Sequence, residues 1–400
     1  MLCSVLCKFL KLVFRMLCQR QVSIQSTAAH SSRHFSPSRH GSSVFSSSPI
    51  SIRQSPRRTH RRRPEAGELT APATMATSDK PTASVDPDTA LAHKFPEVSF
   101  SYDERDVALY ALGVGACGTD AVDEKELHFV HHRDGQRHIK ALPTFASLFP
   151  NKNSNGLGIV DVPGIHFDAS LLLHGQQYIE IYKSIPSRAS VVNKVKVAGL
   201  HDKGKATILE IETTTYLKDS GEALCMNRST IFLRGAGGFS ASSQPYSYST
   251  YPANQISRVS IPNSAPSAVY EDSTQQSQAL LYRLSGDYNP LHSDPMIAQV
   301  AGYDTPMFTR PILHGLCTLG FATRAVIKSF CNGDPSAVQN IFGRFLLHVY
   351  PGETLATEMW LDGQRVQYQT KVTERNRAVL SGYVLLKHIP SSLPERRDVA

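Results

Sequence analysis

Two clusters of consecutive strand-like runs, each behind a helical run, narrow the folds open to this chain more than any other feature. Residues 171–182 alternate apolar and polar side chains, and further runs occupy about 189–200, 205–217 and 224–234. Ahead of them Val107, Tyr110, Ala111 and Val114 recur at helical spacing over 106–116, with Asp103 placed as an N-cap, and 143–149 reads as a short helix. The outline returns downstream. Leu316, Leu319, Thr323, Val326, Ile327 and Phe330 mark one long helix starting at Gly315, and Tyr350-Pro351-Gly352-Glu353 then introduces three strand runs ending near Leu386. Strands that follow one another directly pair antiparallel, so the pattern predicts an α+β fold. Leu281-Tyr282-x-Leu284 echoes Leu109-Tyr110-x-Leu112, and Leu313-His314-Gly315 echoes Leu173-His174-Gly175. Two copies of one unit is the economical reading.

We divide the 400 residues into a disordered basic leader over 1–89, a first unit over 90–238, a linker over 239–266, a second unit over 267–390 and a tail over 391–400, with order beginning near Phe95. Gly235-Ala236-Gly237-Gly238-Phe239 opens no helix and lacks a P-loop lysine, so it reads as a flexible boundary between the units. The net charge of +8 points first to an acidic partner. Residues 1–64, however, hold 12 of the 42 basic residues and no acidic one, which leaves 30 basic against 34 acidic residues beyond them. The cluster Arg57-Arg58-Thr59-His60-Arg61-Arg62-Arg63 has no interleaved aromatics, and no nucleic-acid partner is expected.

The acid-free, Arg- and Ser-rich start resembles an organelle transit segment, although Met75-Ala76-Thr77-Ser78-Asp79 is an alternative initiation point. Seven scattered cysteines with no CxxC pair fit a reducing compartment. No apolar run reaches the roughly 18–20 residues that a spanning helix needs, so stable membrane insertion is not expected. His128, His131 and His132 have no further ligand in register and read as a strand and turn with exposed imidazoles, not a metal site.

The chemistry-bearing stretch is Gly286-Asp287-Tyr288-Asn289-Pro290-Leu291-His292, followed by Pro311-Ile312-Leu313-His314-Gly315. A carboxylate and an imidazole five residues apart are the parts of a proton-moving site, while Gly-Asp and Asn-Pro are also ordinary turn dipeptides. Asp294-Pro295 starts a short helix over 296–301. In the first copy Gly115 and Asp120 stand where Asp287 and His292 stand, so that copy cannot carry the same chemistry.

The Gly-Asp-x-Asn-Pro-x-His and Pro-x-x-His-Gly pair resembles the hydratase 2 motif of the MaoC-like hot-dog family, and the resemblance extends over about 90–393. It implies a tandem, or double, hot-dog fold, each half an antiparallel sheet wrapped around a long central helix, with the first half widening the acyl cavity. It implies reversible hydration of trans-2-enoyl-CoA to (3R)-3-hydroxyacyl-CoA in fatty acid β-oxidation, without metal or redox cofactor. Adding water across that double bond requires proton transfer at two places and donors for the thioester oxygen. Asp287 and His292 supply the first as a coupled pair, Asn289 orients them, and the unpaired N–H of Gly315 at a helix start supplies the second. The resemblance adds His174, Gly175, Lys203 and Phe345 as substrate contacts, with the Lys203 ammonium suited to a CoA phosphate and Phe345 beginning a strand.

An acyl-CoA thioester is then the partner, a homodimer is left open, and the compartment is the peroxisome, with mitochondrion or plastid as the alternative through the leader. Ser391-Ser392-Leu393 looks like a peroxisomal tripeptide followed by a masking tail. One departure is the segment from Tyr303 to Arg310, which relatives bridge with several fewer residues. Two other readings stay open: thioester hydrolysis on the same fold, and a noncatalytic acyl-CoA-binding protein.

Overall fold

The structure, a computed structural model, describes residues 83–154, 161–251, 259–301 and 308–389. The expectations for the leader up to residue 82, for most of the 303–310 segment and for the tail lie outside the described residues. Order, expected from near Phe95, begins earlier. Ser84–Val85 (β1) pairs with Ile165–His166 (β3), and between them Pro87–Ala92 forms a helix (α1) with Asp86 as its N-cap and proline in its first turn. Asp-Pro is a helix-start signal that works by filling two needs of a first turn at once: a side-chain acceptor and a residue with no N–H to satisfy.

The first half continues with Val98–Tyr102 (β2) and the helix Glu104–Gly113 (α2), whose capping box joins Asp103 and Asp106 reciprocally. Four long strands follow: Leu172–Ile181 (β4), Ala189–Asp202 (β5), Ala206–Leu217 (β6) and Ala223–Arg234 (β7); a short strand, Ser247–Ser249 (β8), adds to β5. In the second half Ala268–Ser273 (β9) leads to the helices Gln278–Arg283 (α3), Pro295–Val300 (α4) and Gly315–Phe330 (α5). The strands Val338–Phe345 (β10), Thr354–Asp362 (β11), Arg365–Val372 (β12) and Arg377–Leu386 (β13) complete it.

The two halves share one sheet, in the order β2-β5-β6-β7-β4-β10-β13-β12-β11-β9. The order is palindromic about β4 and β10, which pair antiparallel from Asn340 opposite Glu180 to Arg344 opposite Gln176. The duplication read from Tyr110 and Tyr282 is visible in space, since both rings are buried and their centroids lie 6.0 Å apart. The second echo is not a correspondence. Leu313-His314-Gly315 leads into α5, whereas Leu173-His174-Gly175 lies in β4, whose counterpart is β10.

Helix α5 is buried along almost its whole length and forms the centre of the core with Leu319, Phe321, Val326 and Ile327. Among the described residues the first half has no helix of equal length. Its counterpart, Pro143–Ser154, is wound as a 3₁₀ segment with Pro150 inside it, where an α-helix would lose an N–H and meet a carbonyl clash. Carbonyls left over there are used by the sheet. Asn227 Nδ2 donates to Ala146 O at 2.9 Å, and Asn193 Nδ2 donates to Phe149 O at 2.8 Å. The Gly235–Phe239 stretch is likewise held and not a loose boundary. The buried Asp202 carboxylate accepts from the N–H groups of Gly204, Gly238 and Ser240 and from Ser240 Oγ, which overcome its burial and keep it well below the usual carboxylate range.

The place in the first half equivalent to the Asp287 loop is filled by an ionic cluster. Gly115 lies against the Phe321 ring, and beside it Arg324 of α5, 1% exposed, pairs with Glu126 and Asp272 and donates from Nε to Val114 O at 3.0 Å. Lys328 pairs with Asp123 at 2.6 Å. Asp120, read as the counterpart of His292, accepts from the N–H of Val122 on the exposed surface. His128 lies in a 3₁₀ turn, Leu127–Phe129, with its Nε2 on Gly333 O at 3.0 Å, and His131 and His132 follow it outside any strand. Arg324→Ala leaves Asp272 buried without its cation and Glu126 with Lys328 alone, 3.5 Å away, and should lower folding stability by about 3–5 kcal/mol, measured as a fall in urea midpoint. An unchanged midpoint would contradict the stabilising role.

Candidate active site

The loop after α3 brings the acid and the imidazole to one place. Gly286 adopts φ +118°, a left-handed conformation open to glycine, and turns the chain so that Asp287 points inward and is buried. Asp287 Oδ1 accepts from the Asn289 N–H at 3.3 Å, and Asn289 Oδ1 accepts from the Leu291 N–H at 3.1 Å. These Asx contacts start the 3₁₀ turn Pro290–His292, after which Asp294 caps α4 through Met296 N at 2.8 Å. Asn289 is therefore engaged through its oxygen, and its amide N–H groups are the part that can donate to a ligand.

Burial governs both titrating groups. It raises the Asp287 carboxyl to about 6, against the weaker opposing bond from Asn289, and it lowers His292 to about 4, against the bond to Ile312. His292 Nδ1 lies 2.9 Å from Ile312 O, and a carbonyl only accepts, so the ring proton sits on Nδ1 and leaves the Nε2 lone pair free. Among the described residues no hydrogen bond or ion pair joins the Asp287 carboxylate to the His292 ring. The pair expected from the sequence is thus not joined by a direct contact among these residues. Near neutrality the site holds a largely ionised carboxylate and a neutral imidazole, two proton acceptors on one loop.

The facing wall is built by both halves. Gly315 begins α5, and a Cβ placed on it would stand 3.0 Å from the Phe345 ring, so glycine is what lets that ring lie across the helix start. Phe345 ends β10 and does not begin a strand; its ring meets that of His174 edge-on at 5.1 Å. His174 belongs to β4, and a register shift between His174 and Gln176 places a bulge at Gly175, against Phe232. His174 Nε2 is 3.1 Å from both Gln176 O and Gln177 Oε1, and burial lowers this ring to about 4 as well.

Sequence reasoning missed Gln177. It is 1% exposed, accepts from Ser229 Oγ at 2.8 Å, and donates to Asn227 Oδ1 at 3.1 Å, fixing which side of the amide faces His174. The available signal was a glutamine in register with the apolar face of a strand. Lys203 does not join this group. It sits exposed at the β5–β6 turn, its side chain without a hydrogen bond or ion pair among the described residues. Of the 303–310 segment, Phe308, Thr309 and Arg310 are described; they lie against His348 and Tyr350, with Thr309 N–H donating to Tyr350 Oη at 3.4 Å.

A carboxyl and a neutral imidazole on one loop, an N–H at a helix start and a wall shared by two sheet halves are groups able to take up protons and to donate to an anion. The sequence matches agree with that geometry. Residues 100–235 match the model of the MFE-2 hydratase 2 N-terminal domain, and residues 258–382 match that of the MaoC like domain. The fold and site thus define a double hot-dog protein of the MaoC-like class. Within that class the chain belongs to the enoyl-CoA hydratase 2 family: it is 64% identical over 320 residues to the peroxisomal enoyl-CoA hydratase 2 of Arabidopsis thaliana, covering 80% of this chain and 100% of that one.

Among solved structures it resembles a MaoC-like dehydratase from Phytophthora capsici, with TM-score 0.64 at 31% identity over 76% of this chain and 99% of the other. It also resembles the full-length peroxisomal multifunctional enzyme type 2 of Drosophila melanogaster, with TM-score 0.60 at 33% identity over 73% of this chain and 48% of that one. Among the described residues no group of three or more His, Cys, Asp or Glu is placed to hold a metal ion, and no helix is long and apolar enough to cross a membrane. In a ¹⁵N-histidine NMR spectrum near neutral pH, His292 should carry its proton on Nδ1; an Nε2–H signal would contradict the hydrogen bond to Ile312.

Proposed function

We propose that this chain catalyses the reversible hydration of trans-2-enoyl-CoA to (3R)-3-hydroxyacyl-CoA, a step of fatty acid β-oxidation in the peroxisome. The observation that carries the reading is the buried Asp287 carboxyl and the free Nε2 of His292 on one loop, tied to the start of α5 by the bond from His292 Nδ1 to Ile312 O. The 3R configuration rests on the resemblance of this loop to the hydratase 2 motif. Compartment and substrate class rest on the family.

Water held between Asp287 and His292 loses a proton to one of them as its oxygen bonds to C3. The π electrons move toward the thioester, and the enolate oxygen accepts from the Gly315 N–H at the positive end of α5. The protonated member then gives its proton to C2, so the elements of one water end on the two carbons and the site returns to its starting state. No step needs a metal or a redox partner. Asn289 Nδ2 orients the water, and His174, Gly175 and Phe345 wall the acyl thioester. Lys203, whose ammonium has no protein partner among the described residues, meets a phosphate of the CoA.

Asp287→Asn and His292→Gln, each alone, should abolish hydration of crotonyl-CoA while the fold is kept; either folded variant within about tenfold of the parent would refute the assignment. Released free CoA in place of 3-hydroxybutyryl-CoA would identify a thioesterase, and binding without either product a noncatalytic protein. With Asp287 as the member that takes the proton, kcat/KM should fall as pH drops through about 6. An acid limb only near 4, where burial places His292, would mean that Asp287 is not needed as a base.

A further inference from the structure

We propose that His314 is a positioning residue for both proton-handling groups, holding the Asp287 main chain through Nε2–H and packing its ring face on that of His292. The proposal rests on the Asp287/His292 reading above. His314 Nε2 lies 3.3 Å from Asp287 O, and the rings of His314 and His292 are stacked with centroids 3.8 Å apart and planes at 29°. One side chain thus touches both members, from outside the loop that carries them.

A histidine that merely filled core space would be a poor choice there. The ring is 1% exposed, and its Nδ1 is buried with no hydrogen-bond partner among the described residues. Burying a polar ring atom unpaired costs stability that a phenyl ring would not incur. The one hydrogen bond the ring makes among the described residues goes to Asp287 O, which requires the proton on Nε2. The Tyr282 ring also lies 4.7 Å from it, and Tyr282 is itself packed 6.0 Å from Tyr110 in the core. The contacts form a line of rings from the core to the His292 face.

Chain connectivity makes the arrangement economical. Ile312 O holds His292 Nδ1, His314 holds Asp287 O, and Gly315 opens α5. Four consecutive residues, 312–315, therefore set the place of both acceptors and of the enolate donor relative to the most deeply buried helix. A shift of about 1 Å between such groups can cost about a hundredfold in rate. A residue that fixes two of them should act on kcat and leave substrate binding alone.

The test is steady-state hydration of crotonyl-CoA by the full chain carrying His314→Phe or His314→Gln, with thermal midpoints and with Asp287→Asn and His292→Gln assayed in parallel. His314→Phe keeps the stacked ring and loses the donor, so kcat should fall by about 30- to 100-fold with KM within about threefold. His314→Gln keeps a donor toward Asp287 O and should recover part of that loss. Folded His314→Phe with parental kcat, or a loss carried by KM alone, would overturn the proposal. If the Phe variant does not fold, His314→Gln decides: a kcat reduced about threefold or more at parental KM supports positioning, and a parental kcat refutes it. Activity retained by Asp287→Asn and His292→Gln would instead remove the reading on which the proposal stands, and the proposal with it.

Discussion

The antiparallel pairing of β4 with β10 is the contact on which the rest of the structure depends. Each half, taken alone, would end its sheet at that strand with a row of unpaired N–H and C=O groups. Joining them edge to edge from Asn340–Glu180 to Arg344–Gln176 satisfies both rows and fixes the register. Register then determines the site, because the chain continues one residue past Arg344 to Phe345, while β4 runs two residues back from Gln176 to His174. Their rings consequently meet at 5.1 Å, over the start of α5. The first half, which has a glycine where the acid would be, still supplies a wall of the site through His174 and the Gln177–Asn227–Ser229 amide network behind it.

In the first copy, where Gly115 is read as the counterpart of Asp287, the same place is put to a different use. Where the second copy buries Asp287 with one weak bond and pushes its carboxyl up to about 6, the first brings Arg324 against Glu126, Asp272 and the Val114 carbonyl. One arrangement leaves a buried carboxyl with a single hydrogen bond and no cation beside it among the described residues; the other sets its carboxylates against Arg324 and serves packing. The same duplicated scaffold holds both, because α5 presents Gly315 and His314 at its start to one loop and Phe321 and Arg324 two to three turns later to the other.

Much of the fold was legible because the relevant signals are local. The 189–234 strands lie within two residues of their sequence-based bounds, α5 runs from Gly315 to Phe330 as its apolar spacing requires, and Asp103 caps α2. What was not legible depends on distant partners. β10 contains Gly343 and two polar residues on one face, and only its pairing with β4 and β13 makes it a strand. Pro150 turns the expected helix into a 3₁₀ segment, and the loose carbonyls of Phe149 and Ala146 find Asn193 and Asn227, 44 and 81 residues further along the chain. The Leu-His-Gly echo misled because a three-residue match carries no topology. Within the site, the motif put Asp287, Asn289 and His292 on one loop and Gly315 at a helix start, where the structure has them, while the tautomers of His292 and His314 follow only from which carbonyl each ring meets.

The central claim is that one site, made by the joined halves, holds a thioester oxygen at the start of α5 while two separate acceptors flank the water. It is tested most directly by a crystal structure of Asp287→Asn with trans-2-enoyl-CoA bound. The account predicts the thioester oxygen about 2.7–3.1 Å from the Gly315 N–H, C3 facing position 287 and His292 Nε2, and the acyl thioester lying against Phe345 and His174. A thioester bound away from Gly315, or a reactive double bond out of reach of His292, would contradict it.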